Sequence, residues 1–161
     1  MDFEVEVVQS TTLGALSLWQ TAETHRAECA RPIELPKLLL VLPIVFHRRS
    51  ASSVARLQFA SGLLKAIDDE PLIVVGLQER VKSNAERTYR SLALAIGAGL
   101  LARSTELDTW PLYESRRRGV PTKIKPQTER EQCVLAASKR LGYWFAGADT
   151  VHLALQLGVR F

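Results

Sequence analysis

The feature that most restricts the fold is an apolar run of nine residues, Leu38–Phe46, in which Pro43 is the one break. Most side chains of such a run must be removed from water, so we expect it to lie at the centre of a core. Pro36 fits the first turn of a helix carrying this run, where its missing N–H costs nothing. Pro43 should kink or end that helix.

Helices are predicted on both sides of the run. Thr11 or Thr12 caps a helix that should fade before Arg31-Pro32. Ser50 or Ser53 caps a third helix, with an inward face made of Val54, Leu57, Leu63 and Leu64. A fourth spans about residues 72–96 and ends at Gly97 and Gly99. Its predicted buried stripe comprises Leu77, Val81, Ala85, Thr88 or Tyr89, Leu92 and Ile96.

Short extended segments are expected at two places. Residues 2–7 alternate acidic and apolar side chains, the pattern of a strand, so residues 1–10 are predicted to form an N-terminal strand or arm. Residues 100–103 and 109–114 flank a polar turn and predict a hairpin. A helix followed directly by a hairpin is also the arrangement of a winged helix. We therefore expect a mainly α fold with a small β-hairpin and about six helices, and leave the winged-helix-like alternative open.

The C-terminal part predicts two more helices. Thr128 and Glu131 form a capping-box pattern before a helix that reaches Trp144. Asp149 or Thr150 caps a last helix that ends at Leu157. The length of 161 residues fits a single domain. Within it we expect a helical core with the hairpin over residues 11–115, a basic loop over 116–126, and C-terminal helices over 127–161.

Positive charge is concentrated in one loop. Five of the ten residues 116–125 are Lys or Arg and none is acidic, whereas the other residues carry 16 basic and 17 acidic side chains. Such a patch can contact phosphates or an acidic protein surface. The candidate DNA or partner contacts here are Arg116, Arg117, Arg118, Lys123 and Lys125. His47, Arg48 and Arg49 form a second candidate group, in which His47 is either a cation that stabilises the end of a helix or a partner contact.

Motifs for chemistry are not found in the sequence. The chain has no GxxxxGK[ST] or GxGxxG loop for phosphates, and His25, His47 and His152 do not have metal-ligand spacing. Cys133 with His152 is the one pair that could support nucleophilic catalysis, but a helical cysteine is more often a small core residue. We expect no catalytic residue, metal or cofactor. The absence of long apolar segments and of a secretory signal predicts a soluble, cytoplasmic chain with no membrane contact.

Two stretches, Leu35–Ser50 and Ala137–Phe161, resemble the middle component of bacterial three-component ABC systems, a family that includes the small accessory subunit of Lamassu anti-phage defence. The shared motifs follow the family's order along the chain. They are found at Leu42–His47, Arg48–Ser53, Ile96–Leu101, Leu141–Trp144 and Leu157–Val159. At the turn, Arg48-Arg49 replaces the Lys-Pro of the family pattern.

The resemblance implies a non-catalytic accessory subunit. Its partners would be an SMC-like or Rad50-like ATPase and an effector, often a nuclease, with DNA as a further partner left open. The residues alone leave two alternatives: a free-standing winged-helix transcription regulator that uses Arg116–Lys125 on DNA, and an enzyme dependent on Cys133.

Overall fold

A computed structural model describes residues 3–116 and 125–161, with side chains from Ser10 onward. It confirms a mainly α fold with a small β element, with seven α-helices in the described residues. The helices are α1 (Phe3–Cys29), α2 (Leu35–Val45), α3 (Arg48–Arg56), α4 (Gly62–Asp69), α5 (Leu77–Gly97), α6 (Glu129–Ala146) and α7 (Thr150–Leu157). The strands are β1 (Ile33–Glu34), β2 (Leu101–Arg103) and β3 (Leu112–Ser115).

The apolar run forms α2, which lies at the centre of the core. α2 contacts α1, α3, α5 and α6, so little of its surface is left for water. Its apolar side chains are almost completely buried, namely Leu38, Leu40, Val41, Leu42, Ile44 and Val45. Burial of each is worth about 1.5–3 kcal/mol, which makes this helix the largest apolar contribution of any short segment. Pro36 lies in the first turn and the helix ends two residues after Pro43, as predicted.

The longest helix, α1, packs mainly against α6 and α5. It begins at Phe3, so the predicted strand over residues 1–10 and the predicted start at Thr11 or Thr12 are both wrong. Extending an existing helix needs no new nucleation, whereas a strand needs a neighbour with which to pair. The three strands among the described residues pair only with one another. The helix ends at Cys29, before Arg31-Pro32, as predicted.

The predicted third helix is in fact two helices. α3 ends at Arg56, and a short 3₁₀ turn at Phe59–Ser61 precedes α4. Gly62 joins them with φ +84°, a left-handed value that interrupts a helix and that glycine adopts without strain. His47, not Ser50 or Ser53, is the N-terminal boundary residue of α3. The inward-facing set was correct for Val54 and Leu63 but wrong for Leu64, which is exposed.

Helix α5 begins later than predicted and buries a different stripe. The 3₁₀ turn Pro71–Ile73 occupies the predicted first turn, and the helix ends at Gly97. Its buried residues are Leu77, Thr88, Ser91, Leu92 and Ala95. Ile96 is exposed, so the prediction that it is buried was wrong. Of the two alternatives, Thr88 and Tyr89, Thr88 is the buried residue and Tyr89 is exposed.

The predicted hairpin is confirmed, with one more strand. β2 and β3 are antiparallel, with Leu101 opposite Ser115. β3 is the central strand because β1 pairs with its other edge, where Ile33 lies opposite Tyr113. β1 was not predicted, because a strand of two residues is too short to show an alternating pattern in the sequence. The sheet joins the end of α5 to the segment between α1 and α2.

The predicted C-terminal caps are also confirmed. The Glu131 N–H donates to Thr128 Oγ1 over 3.1 Å, and Glu131 Oε2 accepts from the Gln127 N–H over 2.8 Å. Asp149 Oδ1 accepts from the His152 N–H over 2.7 Å at the start of α7. Thr128 and Asp149 each satisfy an N–H in the first turn of a helix, whereas Glu131 accepts from Gln127, just before α6 begins.

A buried polar cluster ties α2 to four other elements. Lys37 is 4% exposed, and its Nζ donates to the Phe145 carbonyl over 2.9 Å and to His25 Nε2 over 3.2 Å. Glu34 Oε1 lies 3.8 Å from Lys37 Nζ, while the other Glu34 oxygen accepts from the Thr150 hydroxyl of α7. An ammonium in a core requires such partners, since an unpaired buried charge is very costly.

His25 completes this cluster in its neutral form. A proton on Nδ1 can donate to the Arg31 carbonyl, 3.2 Å away, which leaves Nε2 to accept from Lys37. Burial and the adjacent Lys37 ammonium lower the pKa of His25 to about 4. Burial also lowers the pKa of Lys37, and the Glu34 carboxylate opposes that shift.

No single helix in the described part of the chain has the length and apolar character needed to cross a membrane; α2 and α3 pass that test only as a pair, with a bend of 103° between them.

The contact between α1 and α6 predicts a steric effect at Gly142. A Cβ at this position would lie 2.4 Å from the Thr21 carbonyl oxygen, and backbone cannot move aside as a side chain can. We expect Gly142→Ala to lower the free energy of unfolding by roughly 2–3 kcal/mol. Gly97→Ala is the control, because nothing lies within 4 Å of its Cβ and alanine favours the helix. Urea unfolding followed by circular dichroism would measure both, and equal stabilities would contradict the contact.

The buried neutral His25 predicts a loss of stability in mild acid. Between pH 6.5 and 4 the unfolded chain binds a proton at His25 while the folded chain does not. The free energy of unfolding should therefore fall as the pH drops through this window, by about 3 kcal/mol from this residue.

His25→Gln removes the titrating ring and retains an acceptor for Lys37, so its stability should fall less steeply over the same window. His152→Gln, at an exposed histidine, should keep the wild-type slope. Urea unfolding at a series of pH values tests this, and the same slope for wild type and His25→Gln would refute the assignment.

Candidate functional site

The predicted basic group at residues 47–49 lies at the junction of α2 and α3. His47 Nδ1 is 2.6 Å from the Ser50 hydroxyl, and burial, together with Arg80 and Arg49, lowers the pKa of His47. This shift disfavours the interpretation of His47 as a cation at a helix end. Arg49 lies 3.3 Å from the Glu70 carboxylate, whereas Arg48 is exposed.

The structure describes the basic loop only at its two ends. Arg116 follows β3, and its carbonyl accepts from Trp19 Nε1 over 3.1 Å while its guanidinium is 4.0 Å from Glu114. Lys125 is exposed shortly before α6. The candidates Arg117, Arg118 and Lys123 lie outside the described residues. The two described ends follow β3 and precede α6.

Two arginines that sequence reasoning missed converge on Phe46. The Arg87 guanidinium carbon lies 5.4 Å from the centre of the Phe46 ring, and that of Arg130 lies 5.9 Å from it. Both arginines are exposed, whereas the ring is partly buried against the core. Phe46, Arg87 and Arg130, which we call the Phe46 cluster, come from three helical regions distant in sequence, so no local motif signals them.

An open cleft lies between the 3₁₀ turn before α4 and the two C-terminal helices. Its volume is about 560 Å³, and its walls include Phe59, Leu64, Tyr143, His152 and Gln156. On α7, beside the wall residues, Val151 is 70% exposed and Leu155 is 77% exposed. Val151 and Leu155 lie one helical turn apart, and we call this pair the α7 surface. Exposed large apolar side chains on one face of a helix are suited to a protein contact.

A second exposed apolar surface lies on the C-terminal half of α5. It consists of Tyr89, Ala93, Leu94 and Ile96, which we call the α5 surface. Tyr89, Ala93 and Ile96 lie one helical turn apart, so they form a continuous stripe. None of them was predicted to face water.

The two apolar surfaces lie on different helices, α7 and α5. The segment after α7 returns to the start of α5, where the Arg160 N–H donates to Gln78 Oε1 over 2.7 Å. The α5 surface begins at Tyr89, about 16 Å further along that helix at 1.5 Å per residue. The contact of the C-terminal segment with α5 is therefore at the opposite end of that helix from the α5 surface.

The residue pair considered for catalysis is not brought together. His152 lines the cleft near Gly147. Cys133 is thirteen residues before the end of α6 at Ala146, or about 20 Å away along the helix axis. Burial raises the pKa of the Cys133 thiol, which disfavours the reactive thiolate.

Cys29 is the one cysteine close to a histidine within the described residues. Its Sγ lies 3.4 Å from His25 Nδ1, but it donates to the His25 carbonyl over 3.2 Å, and the histidine is already held by Arg31 and Lys37. No group of three or more His, Cys, Asp or Glu side chains able to hold a metal is present over the described ranges. Cys29 and His25 therefore belong to the buried polar cluster that stabilises the core. The features suited to binding a partner are the α7 and α5 surfaces.

Comparison with known proteins gives one match. The family model of the ABC-three component (ABC-3C) system Middle Component 3 matches residues 1–161. No curated protein and no solved structure gives a match. Because the family model covers the whole sequence, the chain belongs to the Middle Component 3 family of ABC-three component systems.

Proposed function

We propose that this chain is the non-catalytic accessory subunit of an anti-phage defence complex, in which it bridges an SMC-like or Rad50-like ATPase and a nuclease-like effector in the cytoplasm. The observation that carries the proposal is family membership over the full sequence, since a middle component works with the other components of its system. The Lamassu systems are the setting that fits this arrangement.

Two apolar surfaces on different helices support the bridging role. A subunit that holds two partners at once needs two surfaces that can be occupied together, and exposed apolar groups provide most of the binding energy of a stable complex. The α7 surface and the α5 surface are the candidates for such a pair, because both are exposed and they lie on different helices. We assign one of them to the ATPase and the other to the effector.

The placement of the chemically versatile residues supports a role without catalysis. His25 and Lys37 are used to stabilise the core, and Cys133 lies far along α6 from His152. The chemistry of the complex would then be performed by its other subunits.

The bridging role predicts that each surface can be disrupted separately. In cells that express all three components, Leu155→Glu should release one partner and Ile96→Glu the other, because a buried unpaired carboxylate costs several kcal/mol at an interface. Leu107→Glu is the control: this side chain is fully exposed in the hairpin loop and belongs to neither surface. Affinity purification through this chain, with partners identified by mass spectrometry, measures the losses.

If both partners are retained by both variants, or if both are lost from Leu107→Glu, the assignment of the surfaces is wrong. If the neighbouring components are never recovered with the wild-type chain, the bridging function itself is wrong.

A further inference from the structure

We propose that the Phe46 cluster binds the phosphate backbone of a nucleic acid, with Arg87 and Arg130 as the contacting residues. It shares no residue with the basic loop or with either apolar surface. It is built from the end of α2, the middle of α5 and the first turn of α6.

The two guanidinium groups are fixed near one another by the ring. Each lies within 6 Å of the same ring centre, at 5.4 Å for Arg87 and 5.9 Å for Arg130, so their separation is at most about twice that distance. A cation held against an aromatic ring loses part of its conformational freedom before a ligand arrives. Phe46 is itself fixed, because it packs against the core. The pair is therefore preorganised.

The positive charge of the pair is not neutralised within the described residues. Nearby arginines are paired, with Arg90 bound to Glu86 and Arg49 to Glu70. Neither Arg87 nor Arg130 has an ion pair within the described ranges, and Arg87 donates a hydrogen bond to the neutral side chain of Asn84. Each guanidinium has five N–H donors, so most remain available to an anion.

The surroundings favour a phosphate backbone over an acidic protein. Arginine matches phosphate oxygens with two parallel hydrogen bonds, and regularly spaced phosphates can satisfy both arginines at once. The cluster has one apolar group, Phe46, and the arginines lie over its ring, whereas the exposed apolar surfaces suited to protein contacts lie elsewhere. Arg48, which is exposed and lies two residues after Phe46, adds a further positive charge close in sequence, whereas Glu129 and Glu131 flank Arg130 in sequence.

The covered ring predicts binding without sequence preference. A base could stack on Phe46 only by displacing an arginine, so the contacts are to phosphate and carry no sequence information. Affinity should depend on salt and on nucleic acid length, not on sequence.

The test uses the purified full chain and a fluorescein-labelled duplex of mixed sequence, with binding measured by anisotropy over a series of salt concentrations. The double variant Arg87→Gln and Arg130→Gln should bind about tenfold more weakly at low salt, and its slope of log affinity against log salt should fall by about two. Arg103→Gln with Lys139→Gln is the matched control, since it removes the same charge from two exposed positions outside the cluster.

Phe46→Leu separates positioning from charge. It keeps both arginines and an apolar core residue but removes the ring, so affinity should fall about threefold while the salt slope stays unchanged. Circular dichroism should show that all variants remain folded.

Three outcomes would overturn the proposal: no duplex binding by the wild-type chain at low salt, an equal loss in the matched control, or displacement of the duplex by polyglutamate at the same charge concentration. The last would indicate an acidic protein partner instead. None of these measurements depends on the ATPase or the effector. Nucleic acid binding at the Phe46 cluster can therefore be refuted while the bridging function stands, and the bridging function can be refuted while nucleic acid binding stands.

Discussion

Helix α2 exposes almost no side chain to water, and the other helices are arranged around it. A helix that is apolar on all sides cannot lie on a surface, so α1, α3, α5 and α6 must each cover part of it. α2 also carries one buried cation, Lys37. Apolar burial does not require a particular orientation of the helices, but the hydrogen bonds of this ammonium do. The ammonium must reach the Phe145 carbonyl and the neutral His25 ring, which fixes the ends of α1 and α6 relative to α2. Apolar contact assembles these helices, and the polar cluster selects one arrangement among them.

The sequence predicts the elements that depend on local rules. The capping box at Thr128 and Glu131, the Asp149 cap and the placement of Pro36 each follow from interactions within four residues, and all three are found. The predictions that failed for residues 3–10 and for Ile96 depend on distant residues, whereas the break at Gly62 is local. Residues 3–10 extend α1 although their alternating pattern suits a strand, because the short sheet is completed by β1 instead. Ile96 has the spacing of a buried residue, but α5 turns its face to Leu92 and Ala95.

The binding surfaces also include features that local sequence reveals and features that depend on residues distant in sequence. The basic residues at 47–49 and at 116–125 are visible as runs in the sequence, although Arg49 is paired with Glu70, and burial together with Arg80 lowers the pKa of His47. The convergence of Arg87 and Arg130 on Phe46 joins positions more than forty residues apart and has no signature in the sequence. Likewise, Gly142 in the family motif Leu141–Trp144 is explained only by the Thr21 carbonyl, which leaves no room for a side chain.

The Phe46 cluster has a mechanical consequence. Arg87 belongs to α5 and Arg130 to α6, so a shift of one helix against the other changes the distance between the two guanidinium groups. An anion bridging them would bind most tightly at one helix spacing, and by thermodynamic linkage it would favour that spacing in return. A partner seated on α5 and an anion at the cluster would then influence each other's affinity without touching.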